Sequence, residues 1–175
     1  MNRSSACAYA ALALLALAPA VRAQPSPPQG PALPTQDFIT TAAQTDDYER
    51  RAGRLAMHMG QRHDVREFGA MMVRDHTRTT AALKAAIRRS GLPAPPPPVL
   101  RPDQQQMLAQ LRNAGRGFDL VYVDQQIKAH QAALSVMTAY AAGGGEAAIK
   151  AAAADTVPIV RRHLAMAERL QGAVH

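Results

Sequence analysis

The chain has 175 residues, a formal charge of +7, 47% hydrophobic residues and only 4% aromatics, with no tryptophan and a single cysteine. The basic residues are scattered or paired (Arg50-Arg51, Arg88-Arg89, Arg161-Arg162), and no basic run is interleaved with aromatics. This argues against nucleic acid as a partner and leaves weak attraction to an anionic membrane surface as the remaining electrostatic expectation.

Residues 1–23 read as a secretory signal. Arg3 supplies the positive start, Ala8 to Ala18 the apolar run, and Val21-Arg22-Ala23 the small residues that predict cleavage after Ala23. The run is broken by Pro19 and is shorter than the ~20 residues of a membrane span. Retention as an anchor is the alternative. A periplasmic or secreted location follows. Cleavage removes Arg3, Arg22 and Cys7, leaving +5 and no thiol for disulfides, metal ligation or nucleophilic catalysis. Stability must then come from an apolar core, which ~140 residues can supply in one domain.

Residues 24–34 are rich in Pro, Gly, Ser and Gln and predict a disordered leader. A helical domain over residues 35–171 follows. Apolar positions recur at three and four, alanine is abundant, and no alternating strand pattern occurs. The first helix is predicted from Thr35 to Met59, with a stripe of Phe38, Ala42, Thr45, Glu49, Ala52, Leu55/Ala56 and Met59, stopped by Gly60. The second spans Asp64 to Ser90, with Val65, Phe68, Met72, His76, Thr79, Leu83 and Ile87 on its stripe. Pro95 to Pro98 predict a stiff crossover.

A short helix from Pro102 to Asn113 places proline in its first turn and is broken by Gly115 and Gly117. The third long helix, Phe118 to Ala142, carries Leu120, Val123, Ile127, His130, Leu134, Met137 and Ala141. Three glycines then turn the chain. The fourth, Glu146 to Leu170, carries Ile149, Ala152, Thr156, Ile159, His163, Met166 and Leu170, with Pro158 costing a hydrogen bond and predicting a kink. The predicted fold is therefore all-α: a four-helix bundle of two antiparallel hairpins, joined by a Pro-rich crossover and a short extra helix. The alanine-rich faces suit packing within one chain or between copies, so a homo-oligomer stays open and no specific partner is implied.

Each long helix places one polar residue where packing wants an apolar one: Glu49, His76, His130 and His163. Burying such groups is costly unless they are paired or ligated. If both short turns lie at one end, helix rise puts Glu49, His76 and His130 roughly 16–20 Å from that end and His163 at roughly 26 Å. A Glu and His set in a bundle core is a ligand set for one transition metal ion: iron, manganese, zinc or copper. The competing reading is a buried polar layer that satisfies itself, with Thr79, Thr156 or Gln126 as further partners, and serves only to set helix register.

Three residues are candidates for an outer shell. Asp75 sits ~100° around the helix from His76 and can pair with an arginine or orient a histidine of another helix. Asp119 and Tyr122 open the third helix. Asp119 reads chiefly as serving a helix N-terminus, and Tyr122 and Tyr140 as aromatics at the edge of the core. His58, His63 and Asp64 around the first turn make a weak surface alternative. Met57-His58-Met59 is the only place where methionines flank a histidine, and the methionines at helical spacing read as core filler. No nucleophile elbow, phosphate loop, dinucleotide fingerprint or zinc-protease motif occurs.

Certain residues carry a resemblance. In the first hairpin they are Phe38, Ala42-Ala43, Glu49, Gly53-Arg54-Leu55-Ala56, Val65, Phe68, Met72, Asp75-His76 and Leu83. In the second they are Phe118-Asp119 with Tyr122, His130, and Pro158 with His163-Leu164. Over Asp37 to Leu170 the chain resembles domain-of-unknown-function family 4142, exported bacterial proteins placed among ferritin-like bundles. The resemblance implies a ferritin-like fold and an envelope location, and no settled activity. Two-iron ferritin-like enzymes carry Glu three residues before histidine; here those positions are Val73, Ile127 and Val160. A mononuclear site or none fits better. The expectation is an exported, non-catalytic stress or interaction protein with a buried Glu/His layer, with single-metal binding or sequestration as the alternative.

Overall fold

The computed structural model describes residues 31–174. The expected signal and most of the leader lie outside these residues. Helix α1 spans Thr35–Met59, α2 His63–Arg89, α3 Pro102–Asn113, α4 Phe118–Gly143 and α5 Ala147–Val174, with a 3-10 turn at Gly115–Gly117 before α4. The described residues are all helix and connection. Helices α1 and α2 pack as one hairpin and α4 and α5 as another; the hairpins meet through α2–α5 and α1–α4, and α3 lies across α1 and α4.

The boundaries follow from the punctuation in the sequence. Gly60 ends α1, its N–H reaching the Ala56 carbonyl at 3.0 Å. Gly91, at φ +67°, takes the left-handed conformation that ends α2 at little cost. α5 extends to Val174, past the predicted end at Leu170, and stays helical through Pro158. Pro158 cannot donate to the carbonyl of Ala154, and both residues are exposed, so water can take that acceptor.

Asp64 accepts the neighbouring Val65 N–H, at 2.9 Å, and no side chain caps α2 at Arg62. Instead the Asp119 carboxylate, from the start of α4, accepts the backbone N–H groups of Gln61 and Arg62, each at 2.9 Å. It thus fastens the α1–α2 turn to the second hairpin. At the far end of α1, Phe38 stacks on Tyr140 at 3.9 Å between ring centroids, and the Tyr140 hydroxyl donates to Thr35 Oγ1 at 2.8 Å.

These contacts overturn one expectation. The two short turns lie at opposite ends of the molecule, because the crossover and α3 carry the chain back along its length before α4 begins. Measured from the α1–α2 turn, His163 sits 11 residues from the end of α5, or roughly 16 Å at the rise of a helix. That brings it level with the other three polar residues.

Two apolar clusters fill the interior, one at each end. Near the α1–α2 turn lie Tyr48, Ala52, Ala56, Val65, Phe68, Met72, Phe118, Tyr122 and Ala167, closed over by Leu108 and Leu111 of α3. Near the α4–α5 turn lie Phe38, Ile39, Leu83, Ile87, Met137, Tyr140, Ile149 and Ala153. The α2 stripe is buried as predicted. Elsewhere the register shifts by one residue: Asp46 is buried where Thr45 was expected, and Ala153 and Val160 where Ala152 and Ile159 were. Tyr122 and Tyr140 are fully buried core residues, not edge aromatics. Each ring removes a large apolar area from water when buried.

Helices α1 and α2 approach most closely at two glycines. A Cβ on Gly53 would lie 2.7 Å from the Gly69 carbonyl oxygen, and one on Gly69 would lie 2.7 Å from both the Gly53 carbonyl oxygen and the Ala56 Cβ. Because the obstacle is backbone, the helices themselves would have to separate. Gly69→Ala should therefore destabilise the protein by about 3 kcal/mol, the upper end of overpacking costs, as read by urea denaturation. Gly172→Ala, with nothing within 4 Å, should be neutral or slightly stabilising.

Candidate functional site

Between the two apolar clusters lies a polar layer. His76 on α2, His130 on α4 and His163 on α5 meet there, all buried, with ring centroids 5.3 to 5.7 Å apart. Each ring offers one nitrogen such that the three lie within 4.8 Å of one another. His76, His130 and His163 are thus brought together as the helical stripes implied.

Each imidazole is held from behind by an acceptor. His76 Nδ1–H donates to Asp46 Oδ1 at 2.8 Å, His163 Nε2–H to Asp75 Oδ2 at 3.0 Å, and His130 Nδ1–H to the Gln126 carbonyl at 2.9 Å. Carboxylates and carbonyls only accept, so these bonds set the tautomers. In the neutral rings the lone pairs then belong to His76 Nε2, His130 Nε2 and His163 Nδ1. Those three atoms are buried and have no hydrogen-bond partner.

The outer acceptors differ in setting. Asp46 is itself gripped by Thr79 Oγ1 at 2.9 Å and Thr80 Oγ1 at 2.8 Å. Asp75 is buried to the same degree but is reached by exposed arginines, Arg162 Nη2 at 3.1 Å and Arg78 Nη1 at 3.6 Å. It therefore both pairs with arginine and orients His163, the two roles its position around α2 allowed. Asp46 was not singled out from the sequence. Its signal was its place one turn beyond Ala42 and three residues before Glu49 on the same face of α1, hidden by the choice of Thr45 for the stripe.

Glu49 lies beside this cluster and outside the three-nitrogen set. Its Oε1 is 3.8 Å from His130 Nδ1, on the side of the ring turned away from the free nitrogen, and neither carboxylate oxygen has a hydrogen-bond partner. Tyr122 is buried with its hydroxyl unpartnered, and the Gln126 side-chain amide is likewise unpartnered. Asp119 holds the α1–α2 turn and makes its hydrogen bonds away from the histidines. Thr156 bonds its own helix at the Ala152 carbonyl. His63 sits 3.5 Å from Glu67 and Asp64 pairs with Arg62, so the surface alternative does not converge on one point.

Electrostatics separate the three imidazoles. Burial, reinforced by the neighbouring His76 and His163, drives the His130 pKa well below its ordinary value. Burial lowers His163 to about 4, against the opposing hydrogen bond to Asp75. For His76 burial is the largest single influence and lowers the pKa, but the Asp46 hydrogen bond and charge, with Glu49 and Asp75, together raise it above the ordinary value. Burial also raises Tyr122, with Glu49 adding to it, and raises Glu49 to about 7. Asp75 is pushed up by burial but ends below the usual carboxylate range, because the His163 and Arg162 contacts outweigh it.

These directions make stability depend on pH in opposite senses. His130 and His163 bind fewer protons folded than unfolded, so their contribution is complete above about 6.5 and is lost as pH falls toward about 4. Glu49 binds more protons folded, so its contribution is present below about 4.5 and is lost as pH rises through about 7. With a strong chelator present, Glu49→Gln should raise stability relative to the parent at pH 8, and the difference should shrink by pH 5. His163→Gln should flatten the acid-side decline. Denaturant midpoints from pH 4 to 8 measure both, and a Glu49→Gln offset that is constant with pH would contradict the burial argument.

The sequence profile of one protein family, described as Domain of unknown function (DUF4142), matches residues 19–170. No curated protein and no solved structure matches the chain. With the match running from before α1 nearly to the end of α5, and taking in all three histidines and their acceptors, the chain belongs to the DUF4142 family.

Proposed function

We propose that this is an exported envelope protein that binds a single transition-metal ion through His76, His130 and His163. The observation that carries the reading is the set of three buried, unpartnered imidazole nitrogens, one per ring, each with its opposite nitrogen tied to an acceptor. Acceptors behind metal-binding histidines orient the ring and raise its basicity, and they are a regular part of such sites. Orphaned buried polar atoms are costly, and a cation would satisfy all three at once. Asp46 and Asp75 would place two negative charges just outside the ion, which suits a divalent one.

The ligand chemistry narrows the ion. Neutral imidazoles without thiolate suit zinc, copper, iron and manganese. A tetrahedral ion with bonds of about 2.05 Å holds its nitrogens about 3.3 Å apart, so binding would draw the rings inward from their 4.8 Å spread. Such an ion would act as a Lewis acid or as stored cargo. The histidines are at most 5% exposed, which favours holding the ion over presenting it to a substrate. Sequestration or stress protection is therefore favoured over catalysis. Glu49 has the burial and position of a negative group behind His130, and serves as a ligand only if its side chain turns past that ring.

The fold supports the same reading. Two hairpins joined by a long crossover, with buried polar groups of all four long helices at mid-height, are a setting in which bundle proteins build metal sites. The reading in which the layer merely sets helix register has its best support in Asp46, whose hydrogen bonds to His76, Thr79 and Thr80 are complete without an ion. It leaves the three free nitrogens unexplained, because no two of them are in hydrogen-bond contact.

Elemental analysis of untagged protein recovered from the envelope is the direct test. A near-stoichiometric metal is expected, absent from His76→Ala/His130→Ala. Asp46→Asn should weaken affinity by roughly 10- to 100-fold, the usual range for groups behind a ligand. No metal in the parent, and no binding of zinc, copper, iron or manganese added to it, would leave the register reading standing.

A further inference from the structure

The three histidines are anchored unequally, and the inequality suggests how an ion reaches them. His130 is bonded to the Gln126 carbonyl of its own helix, which cannot move without breaking α4. His76 is bonded to Asp46, which is buried and held by two threonine hydroxyls. His163 alone is tied to a carboxylate, Asp75, that is buried like Asp46 but is held from outside by exposed arginines instead of threonine hydroxyls. Asp75 contacts Arg162 and Arg78, whose side chains are 55% and 79% exposed. Exposed ion pairs of this kind are weak and open readily.

A second observation falls on the same arm. Pro158 lies five residues before His163, and its ring removes the hydrogen bond to Ala154 from the preceding turn of α5. The helix carrying the histidine tethered through Asp75 is therefore also the one with a gap in its backbone ladder. By contrast, α2 and α4 have no proline inside them.

Resting on the metal-binding reading above, we propose that Asp75 is the passage by which a divalent cation enters and leaves the site, and that Arg162, assisted by Arg78, is its latch. When Arg162 swings into solvent, the Asp75 carboxylate is exposed. It can receive a cation from water and pass it to His163, whose ring turns as its bond to Asp75 is released. When Arg162 closes, the positive guanidinium repels a second cation and returns Asp75 to orienting His163. The latch sets the rate of exchange, and the three imidazoles set the affinity.

The test is stopped-flow exchange of Co2+ with the full untagged protein, followed by its visible absorption, with loading of the metal-stripped protein and removal by excess EDTA as the two directions. Arg162→Gln should speed both by about fivefold, the factor a surface ion pair contributes, leaving the equilibrium affinity nearly unchanged. Added salt should accelerate the parent toward the variant and affect the variant little, since salt screens exposed pairs. Thr80→Val, which loosens the Asp46 arm, is the control and should not accelerate exchange in both directions. Exchange by Arg162→Gln at the parent rate would overturn the latch while leaving metal binding intact, as would equal acceleration by Thr80→Val. Failure of the parent to bind Co2+ in any amount would remove the metal site itself, and the latch with it.

Discussion

The structure depends on a polar layer placed across the middle of its own core. Three imidazoles and a carboxylate are buried at the height where four long helices would most readily pack leucine. Taking such groups out of water is unfavourable unless each finds a partner. Much of the surrounding sequence answers that requirement. Asp46, Thr79 and Thr80 complete one corner, Asp75 and Arg162 another, and the Gln126 carbonyl a third. The apolar core divides around the layer into two clusters.

That division explains the economy of the packing. Glycines and alanines at the α1–α2 contact bring two backbones close together, as Gly53 and Gly69 do. The few large rings are spent at the ends: Phe38 on Tyr140 at one, Phe118, Tyr122 and Phe68 at the other. Asp119 spans the hairpins at the second of these ends with two charge-assisted bonds to backbone N–H groups. A one-residue slip of any helix would carry its histidine about 100° around the axis and out of the layer. The polar groups therefore oppose misregistration more strongly than alanine faces could.

Much of this was legible from residue periodicity. The α2 stripe was readable in full because its apolar residues are large and regularly spaced, and His76 falls on it without ambiguity. In α5 a run of alanines offers little contrast between faces, and the stripe was read one residue out, although His163 kept its place. Asp46 lies off the stripe when Thr45 is placed on it, and only the arrival of His76, Thr79 and Thr80 from α2 makes its burial favourable. The height of His163 was misjudged for a different reason. Loop lengths reveal that consecutive helices are antiparallel, but not at which end of the molecule the second hairpin begins, and that depended on how far the crossover and α3 carry the chain. Tertiary pairing decided each of these points, and local sequence carries no direct record of it.

On the proposed metal-binding reading, the same layer would link stability to binding. Each unpartnered nitrogen raises the free energy of the folded state and contributes little to that of the unfolded chain, where water reaches it. An ion that binds only the folded form lowers the folded free energy by an amount that grows with the logarithm of its concentration over its dissociation constant, about 4 kcal/mol at a thousandfold excess. For a domain whose total stability lies in the usual range of about 5–15 kcal/mol, that is a large share. A fold with no cysteine among its described residues cannot draw on a disulfide for the same purpose. If His76, His130 and His163 bind an ion as proposed, the unpartnered nitrogens that destabilise the empty fold are the same atoms through which the ion would stabilise it.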